Sequence, residues 1–223
     1  MKIEPHKKFP GVFVVDKNLA TVNLVPGEKV YGEQLIKAGK AEYRIWDHFR
    51  SKPAAAIKKG LKEFPLKEGM KVLYLGVASG TTASHFSDII GPDGIIYGVD
   101  IAERVLRDLI SHAEKRGNII PILADSRKPE DYEKNVLEKV DLVYADVADP
   151  EEVKIFIRNS LKFLKPKGFG MIAIKSRSID VTKQPQQIYK ESKKQLEEHF
   201  EILDFVVLDP YEKDHGFFVC RMK

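Results

Sequence analysis

From Lys71 onward, short apolar runs alternate with longer stretches whose apolar residues recur at helical spacing. The runs 72–76, 95–99, 119–123, 140–145, 169–174, 202–208 and 216–222 read as strands, and the segments near 81–90, 103–115, 150–163 and 185–199 as helices. Such β-α repetition predicts a parallel sheet with helices on both faces. The last two strands are joined only by Asp209 to His215, too short for a crossover helix. They are therefore predicted as an antiparallel hairpin at one edge. The expected class is α/β, with a Rossmann-like sheet of seven strands, mostly parallel, whose last strand is antiparallel.

The chain before Lys71 follows a different rhythm. Val12-Phe13-Val14-Val15, residues 20–25 and Ala41 to Trp46 alternate or run apolar between turn residues that include Pro26-Gly27. They predict a small β-hairpin appendage, because so few residues cannot enclose a large core. A helix is expected from Pro53, a residue suited to the first helical position, with Ser51 or Lys52 at its boundary. The expected division is a small N-terminal β-rich domain over 1–50 and a larger domain over 51–223.

Composition narrows the class without naming an activity. A chain of 223 residues with 43% hydrophobic and 31% charged residues reads as an ordinary globular protein. No run approaches the ~18 apolar residues of a membrane span. Met1-Lys2-Ile3-Glu4 and the residues that follow lack the apolar core of a secretory signal. The lone Cys220 excludes an internal disulfide and is expected as a reduced core residue of a cytoplasmic protein. His6, His48, His112 and His199 show no ligand spacing, so no metal site is expected. A net charge of +4 permits RNA binding without requiring it.

The first chemical signal is Leu75-Gly76-Val77-Ala78-Ser79-Gly80-Thr81-Thr82, a glycine-bounded turn between a predicted strand and helix. Gly76 and Gly80 let a ligand approach the backbone, and Thr81 or Thr82 is expected to cap the helix. The helix start offers unpaired N–H groups and partial positive charge. Ala78 stands where G-x-G-x-x-G needs its second glycine, and no Lys follows Gly80 as a P-loop would require. A nucleotide-type cofactor without a pyrophosphate fits better, and S-adenosylmethionine is the commonest.

Acids follow the strands at the edge where such sheets bind ligands. Asp100 lies 24 residues beyond Gly76, near the ~20 expected of a ribose-binding carboxylate. Asp125 is placed to accept an adenine amino group, and Asp146 and Asp149 follow the next strand. A single such Asp reads as a cap or turn former. Several together suit an adenosyl ligand whose sulfonium they stabilise. Lys52 at a helix start, Lys175 at the end of an apolar strand and His215 at the start of the last one complete the set. The helix field is expected to lower the Lys52 pKa. Two amines beside Asp146 suit a lysine that takes a proton from a ribose 2′-hydroxyl.

At these residues the chain resembles fibrillarin of the archaeal type. The matching segments are Tyr43-Arg44-Ile45-Trp46, Arg50-Ser51-Lys52-Pro53-Ala54-Ala55-Ala56-Ile57, Tyr74-Leu75-Gly76 with Ser79 to His85, Asn118 to Leu123, Asp146-Val147-Ala148, Ile174 to Asp180 and Pro210 to His215. The resemblance implies guide-directed 2′-O-methylation of rRNA, and of tRNA, in a box C/D ribonucleoprotein. It implies a Nop-type scaffold protein, a kink-turn-binding protein of ribosomal type, a guide RNA and target rRNA as partners, and no membrane. It implies the catalytic tetrad Lys52, Asp146, Lys175 and His215. It places Thr81, Thr82, Asp100, Ile101, Asp125, Ser126, Val147, Ala148 and Asp149, with Asp146, along the cofactor. Asp100 and Asp149 stand where the family usually has Glu and Gln, and Pro53 and Ser176 replace its Leu and Ala. No Arg-Gly-Gly tract occurs, which argues against the eukaryotic, nucleolar form.

Three expectations rest on the residues alone. Arg177, just past Lys175, is the best placed for an RNA phosphate. His85 is expected as a satisfied, partly buried side chain. The chain is expected to be nearly inactive alone. Two rivals remain: a nicotinamide oxidoreductase, disfavoured by the missing glycine and the last hairpin, and a non-catalytic assembly subunit, disfavoured by the intact tetrad.

Overall fold

Two sheets share one core in the computed structural model, which describes residues 2–223. The elements are β1 (Ile3–Pro5), β2 (Val12–Val15), β3 (Asn18–Val22), β4 (Leu35–Ala38), β5 (Ala41–Trp46), α1 (Lys52–Lys58), β6 (Lys71–Leu75), α2 (Thr81–Ile90), β7 (Ile95–Asp100), α3 (Glu103–Arg116), β8 (Ile119–Leu123), β9 (Val140–Ala145), α4 (Glu152–Phe163), β10 (Leu164–Lys175), α5 (Ser176–Ile179), α6 (Pro185–Leu196), β11 (Phe200–Val207) and β12 (His215–Met222). The larger sheet has the order β11-β12-β10-β9-β6-β7-β8. Neighbours from β10 to β8 run parallel, and β12 is antiparallel to both β10 and β11. The expected hairpin is present, with β12 inserted and β11 outermost.

Successive strand residues point to opposite faces, and two cores result. Val72, Tyr74, Leu142, Tyr144, Met171, Ala173, Phe217 and Val219 pack with α1, α2, α3 and the N-terminal sheet. Leu73, Leu75, Val143, Ala145, Ile172, Ile174, Phe218 and Cys220 pack with α4 and α6. A near-continuous apolar run is what a strand covered on both faces requires. Cys220 is buried here, and burial raises its thiol pKa. Among the described residues no helix is long and apolar enough to cross a membrane.

The N-terminal appendage is more than a hairpin. It forms a five-stranded antiparallel sheet of order β1-β2-β3-β5-β4. β1 and β4 escape the sequence pattern because each is short and interrupted by a charged residue, and become strands only by pairing with β2 and β5. β3 begins at Asn18, since Asp16, at φ 54°, turns the chain directly back on β2. Phe9, Val12, Leu19 and Trp46 belong to the larger core, so residues on both sides of position 50 pack together.

A buried ionic cluster reinforces that joint. Asp88 on α2 accepts from Thr21 Oγ1 at 2.6 Å, Arg44 Nη1 at 2.8 Å, Arg116 Nη1 at 2.7 Å and the Leu24 N–H at 3.0 Å. Arg44 Nε also donates to Glu33 at 2.7 Å. His85 lies in the same cluster, fully buried and stacked on Trp46 with ring centroids 5.2 Å apart. Burial first, then the charges of Arg44 and Arg116, hold its pKa well below the ordinary value, so the ring is neutral. Thr21 donates its hydroxyl proton to Asp88 and so accepts from His85 Nδ1–H, while Tyr31 OH donates to Nε2 at 2.7 Å. The ring is a structural link between the sheets.

Candidate active site

The turn after β6 is shaped by two close approaches. Gly76 has φ 77°, and a Cβ there would lie 2.4 Å from the Asp146 carbonyl oxygen. Its N–H and that of Val77 both donate to the Val99 carbonyl. Ala78 also takes a left-handed φ of 49°, and its N–H donates to Asp100 Oδ2 at 2.8 Å. Gly76→Ala is expected to add about 1–2 kcal/mol of left-handed strain and to push the Asp146 backbone away. Titration calorimetry should show adenosyl-ligand affinity at least about tenfold weaker, a loss of ~1.4 kcal/mol, in a protein that still folds.

Gly80 and Thr82 help to shape the turn, and the capping expectation is corrected. Gly80 occupies the N-cap of α2 at φ 90°, and neither threonine caps the helix through its side chain. A Cβ on Gly80 would lie 2.6 Å from Leu109 Cδ1. Thr82 is buried and donates to Ser51 Oγ at 2.9 Å, and Ser51 also accepts from Trp46 Nε1 at 2.8 Å. Gly80, Thr81 and Thr82 line neither cavity described next.

A cavity of about 310 Å³ opens at the carboxyl ends of β6, β7, β8 and β9. Gly76, Ala78, Val99, Asp100, Ile101, Asp125, Ser126, Arg127, Asp146, Val147, Ala148, Asp149 and Ile155 line it. Asp100 is fixed by the N–H groups of Ala78 and Ala102. Arg127, which sequence reasoning missed, holds Asp125 through Nε at 3.0 Å and reaches within 3.9 Å of Asp149. Its hydrogen bonds, foremost among several causes, lower the Asp125 pKa. The only hint in the sequence was its place two residues past Asp125. Ile101 stands exposed at the rim.

A second cavity, of about 350 Å³, shares the wall Gly76, Ala78, Asp146, Val147 and Ala148 with the first. Lys52, Lys175, Glu212 and His215 complete its lining. The proposed tetrad, distant in sequence, therefore meets in one place. Lys52 leaves the first position of α1, Asp146 follows β9, and Lys175 and His215 stand opposite one another on β10 and β12. Directly opposed side chains on antiparallel strands have Cβ atoms ~4.5–5.5 Å apart.

The charges within it are unequal. Lys52 Nζ is 2.9 Å from each carboxylate oxygen of Asp146. Burial acts against its charge, but the charge and hydrogen bond of Asp146, aided by Glu212, prevail and raise its pKa. This reverses the expectation that the helix field would lower it: an ion pair at contact outweighs the end of a seven-residue helix. Among the described residues, no hydrogen bond or ion pair holds Lys175 Nζ. Asp146 thus pairs with one lysine, not with both. His215 Nδ1–H donates to the Lys213 carbonyl at 2.7 Å, which leaves Nε2 as an acceptor in the neutral ring. Burial, joined by the charge of Lys52 and opposed by that hydrogen bond, keeps its pKa below the ordinary value.

Arg177 sits just outside. Its guanidinium donates to Asp214 at 3.1 Å and to the Val181 carbonyl at 3.0 Å, and remains partly exposed. Glu212, in the turn before His215, and Glu152, in the first turn of α4, were also missed. Among the described residues no group of three or more His, Cys, Asp or Glu is placed to hold a metal ion.

Comparison with known proteins gives this arrangement a context. The family model described as Fibrillarin matches residues 3–223. A fibrillarin-like rRNA/tRNA 2′-O-methyltransferase of Pyrococcus furiosus is 54% identical over 226 residues, covering 99% of each chain. The crystal structure of Aeropyrum pernix fibrillarin with natively bound S-adenosyl-L-methionine is 49% identical, with a TM-score of 0.90 over 99% of this chain and 98% of that one. A fibrillarin in complex with Nop5p is 39% identical, with a TM-score of 0.88 over 96% of this chain and 98% of its own.

Proposed function

The chain belongs to the fibrillarin family, and on that footing we propose that it transfers a methyl group from S-adenosylmethionine to a ribose 2′-hydroxyl of rRNA or tRNA. One observation carries this reading. The cavity holding Lys52, Asp146, Lys175 and His215 shares a wall with a cavity lined by Asp100, Asp125 and Asp149.

The lining of the first cavity fits an adenosyl ligand. Asp100, held by two backbone N–H groups, presents a fixed carboxylate to ribose hydroxyls, and Asp125 offers an acceptor for an exocyclic amine. Val99, Ala148 and Ile155 supply apolar surface for a base, and Gly76 leaves room at the wall. When bound, S-adenosylmethionine supplies an electrophilic methyl group on a positively charged sulfur. The carboxylates stabilise that charge.

The residues of the second cavity position the acceptor and take its proton. His215 seats the incoming ribose against the shared wall, leaving the single proton of its 2′-hydroxyl directed at the Lys175 amine. Lys175, unpaired among the described residues, receives the proton as attack proceeds, whereas Lys52 is committed to Asp146 and stays an ammonium. Orientation supplies most of the acceleration, because the displacement at carbon needs alignment more than acid strength. The 2′-hydroxyls line the shallow minor groove of A-form RNA, so the enzyme reads no bases itself. The guide RNA selects the site, and a Nop-type scaffold with a kink-turn-binding protein supplies most RNA affinity. Arg177 contributes a phosphate contact through its remaining donors.

The test is incorporation of labelled methyl into an rRNA fragment, with this chain, scaffold, kink-turn protein and guide combined. One ribose resistant to alkaline cleavage opposite the guide is expected, with little label from the chain alone. Label on a base would end this reading, and strong guide-free methylation would end the dependence on partners.

A further inference from the structure

The shared wall between the cavities rests on a group that neither cavity exposes. Glu152, at the start of α4, is 0% exposed. Its Oε1 accepts the Lys175 N–H at 2.8 Å, across to the end of β10. Its own N–H donates to the Asp149 carbonyl at 3.1 Å, closing the loop that follows β9. Its Oε2 is buried without a partner. A carboxylate left in that state would lack a hydrogen bond that its charge demands. Charged groups that act on it are Asp146 on the β9 loop, Asp149 on its own loop and Lys52 on α1, and Lys175 adjoins it at the end of β10. Lys52 is already paired with Asp146 and so offsets a charge on Glu152 only in part, Lys175 meets Glu152 through its backbone N–H, and two nearby acids oppose a further negative charge.

We propose that Glu152 is a proton-bearing clamp, a neutral carboxylic acid that ties the Asp146–Asp149 loop to the strand end carrying Lys175. It is a positioning residue: it acts on the reaction through the backbone of Lys175. Neutrality matters because an ionised Glu152 would compete with Asp146 for Lys52 and loosen the pair. Burial, with the charges of Asp146 and Asp149, raises its pKa to about 9, against the hydrogen bond from Lys175 and the charge of Lys52. The folded state therefore holds a proton that the unfolded chain releases near the ordinary glutamate value. Stability falls as pH rises between those two values, because the folded state binds more protons.

Two variants test this, and the first readout needs no enzymatic activity. Glu152→Gln keeps the shape and the acceptor but cannot ionise. Melting temperatures of the full chain and of this variant should nearly coincide at pH 5 and diverge by pH 9, with the variant more stable. A difference that stays constant across that range would overturn the proposal, since Glu152 would then be in one ionisation state throughout. The second readout rests on the methyltransferase reading. Glu152→Leu, neutral but unable to accept from Lys175, should lower kcat about tenfold to a hundredfold, the scale of a small misplacement, with KM for S-adenosylmethionine little changed. Glu152→Gln should restore kcat to near wild type. Equal kcat in the Leu and Gln variants would remove Glu152 from positioning. Divergent melting curves in a protein without methyl transfer would instead leave the clamp standing and remove the activity.

Discussion

Lys175→Ala is expected to lower the rate of methyl transfer by roughly 10²–10⁴-fold, the usual contribution of a positioned proton acceptor, with S-adenosylmethionine affinity almost unchanged. The asymmetry of the cavity is the reason. Lys52 is held by Asp146 at 2.9 Å and shifted toward its ammonium form, whereas Lys175 has no such partner among the described residues and stands opposite His215. Lys175 belongs to the second cavity only, so its removal leaves the Asp100 and Asp125 wall intact. Lys175→Arg separates charge from proton transfer. An arginine keeps the charge but does not deprotonate in a protein. It should be as slow as alanine if the amine accepts the proton, and close to wild type if only its charge matters. Single-turnover rates with the reconstituted complex decide between these, and a wild-type rate in the alanine variant would remove Lys175 from the chemistry.

The second large effect concerns stability. Asp88→Ala is expected to cost about 3–5 kcal/mol, the range for removing one partner from a buried ion pair. Two guanidinium groups, those of Arg44 and Arg116, lose the same carboxylate, and Thr21 and the Leu24 N–H lose an acceptor. For a chain of this length the melting temperature should fall by roughly 6–20 °C. Loss should begin at the joint between the sheets, so amide exchange in β3 and β5 should rise before that in β6 and β9. Equal protection losses in all four strands would mean that the cluster does not hold the N-terminal sheet specifically. A drop below about 1 kcal/mol, the scale of a surface pair, would mean that the cluster carries little stability.

The larger sheet was readable along the chain because its strands are apolar on both faces and separated by helices of clear period. The short connection from Asp209 to His215 required the antiparallel pair, and that pair is found. The N-terminal sheet was only half legible. Ile3–Pro5 and Leu35–Ala38 carry no alternation of their own, so their strand character comes from partners distant in sequence. Lys52, Asp146, Lys175 and His215 could be named from position and family likeness, but their pairing could not. The sequence allowed two lysines to share Asp146, and the fold joins it to one.

What the sequence by itself determined is the order of strands and helices, the glycine turn and the chemical types at the strand ends. These depend on local periodicity and backbone freedom, which a linear string records. Tertiary structure alone decided which ammonium is paired, that Thr82 faces Ser51 rather than capping its helix, that Arg127 holds Asp125, and that Glu152 is buried. All but the Arg127–Asp125 contact depend on distances between residues far apart in the chain and on exclusion of water around them. Burial sets the strength of a charge's interactions, and burial is a property of the packed molecule rather than of any segment in it.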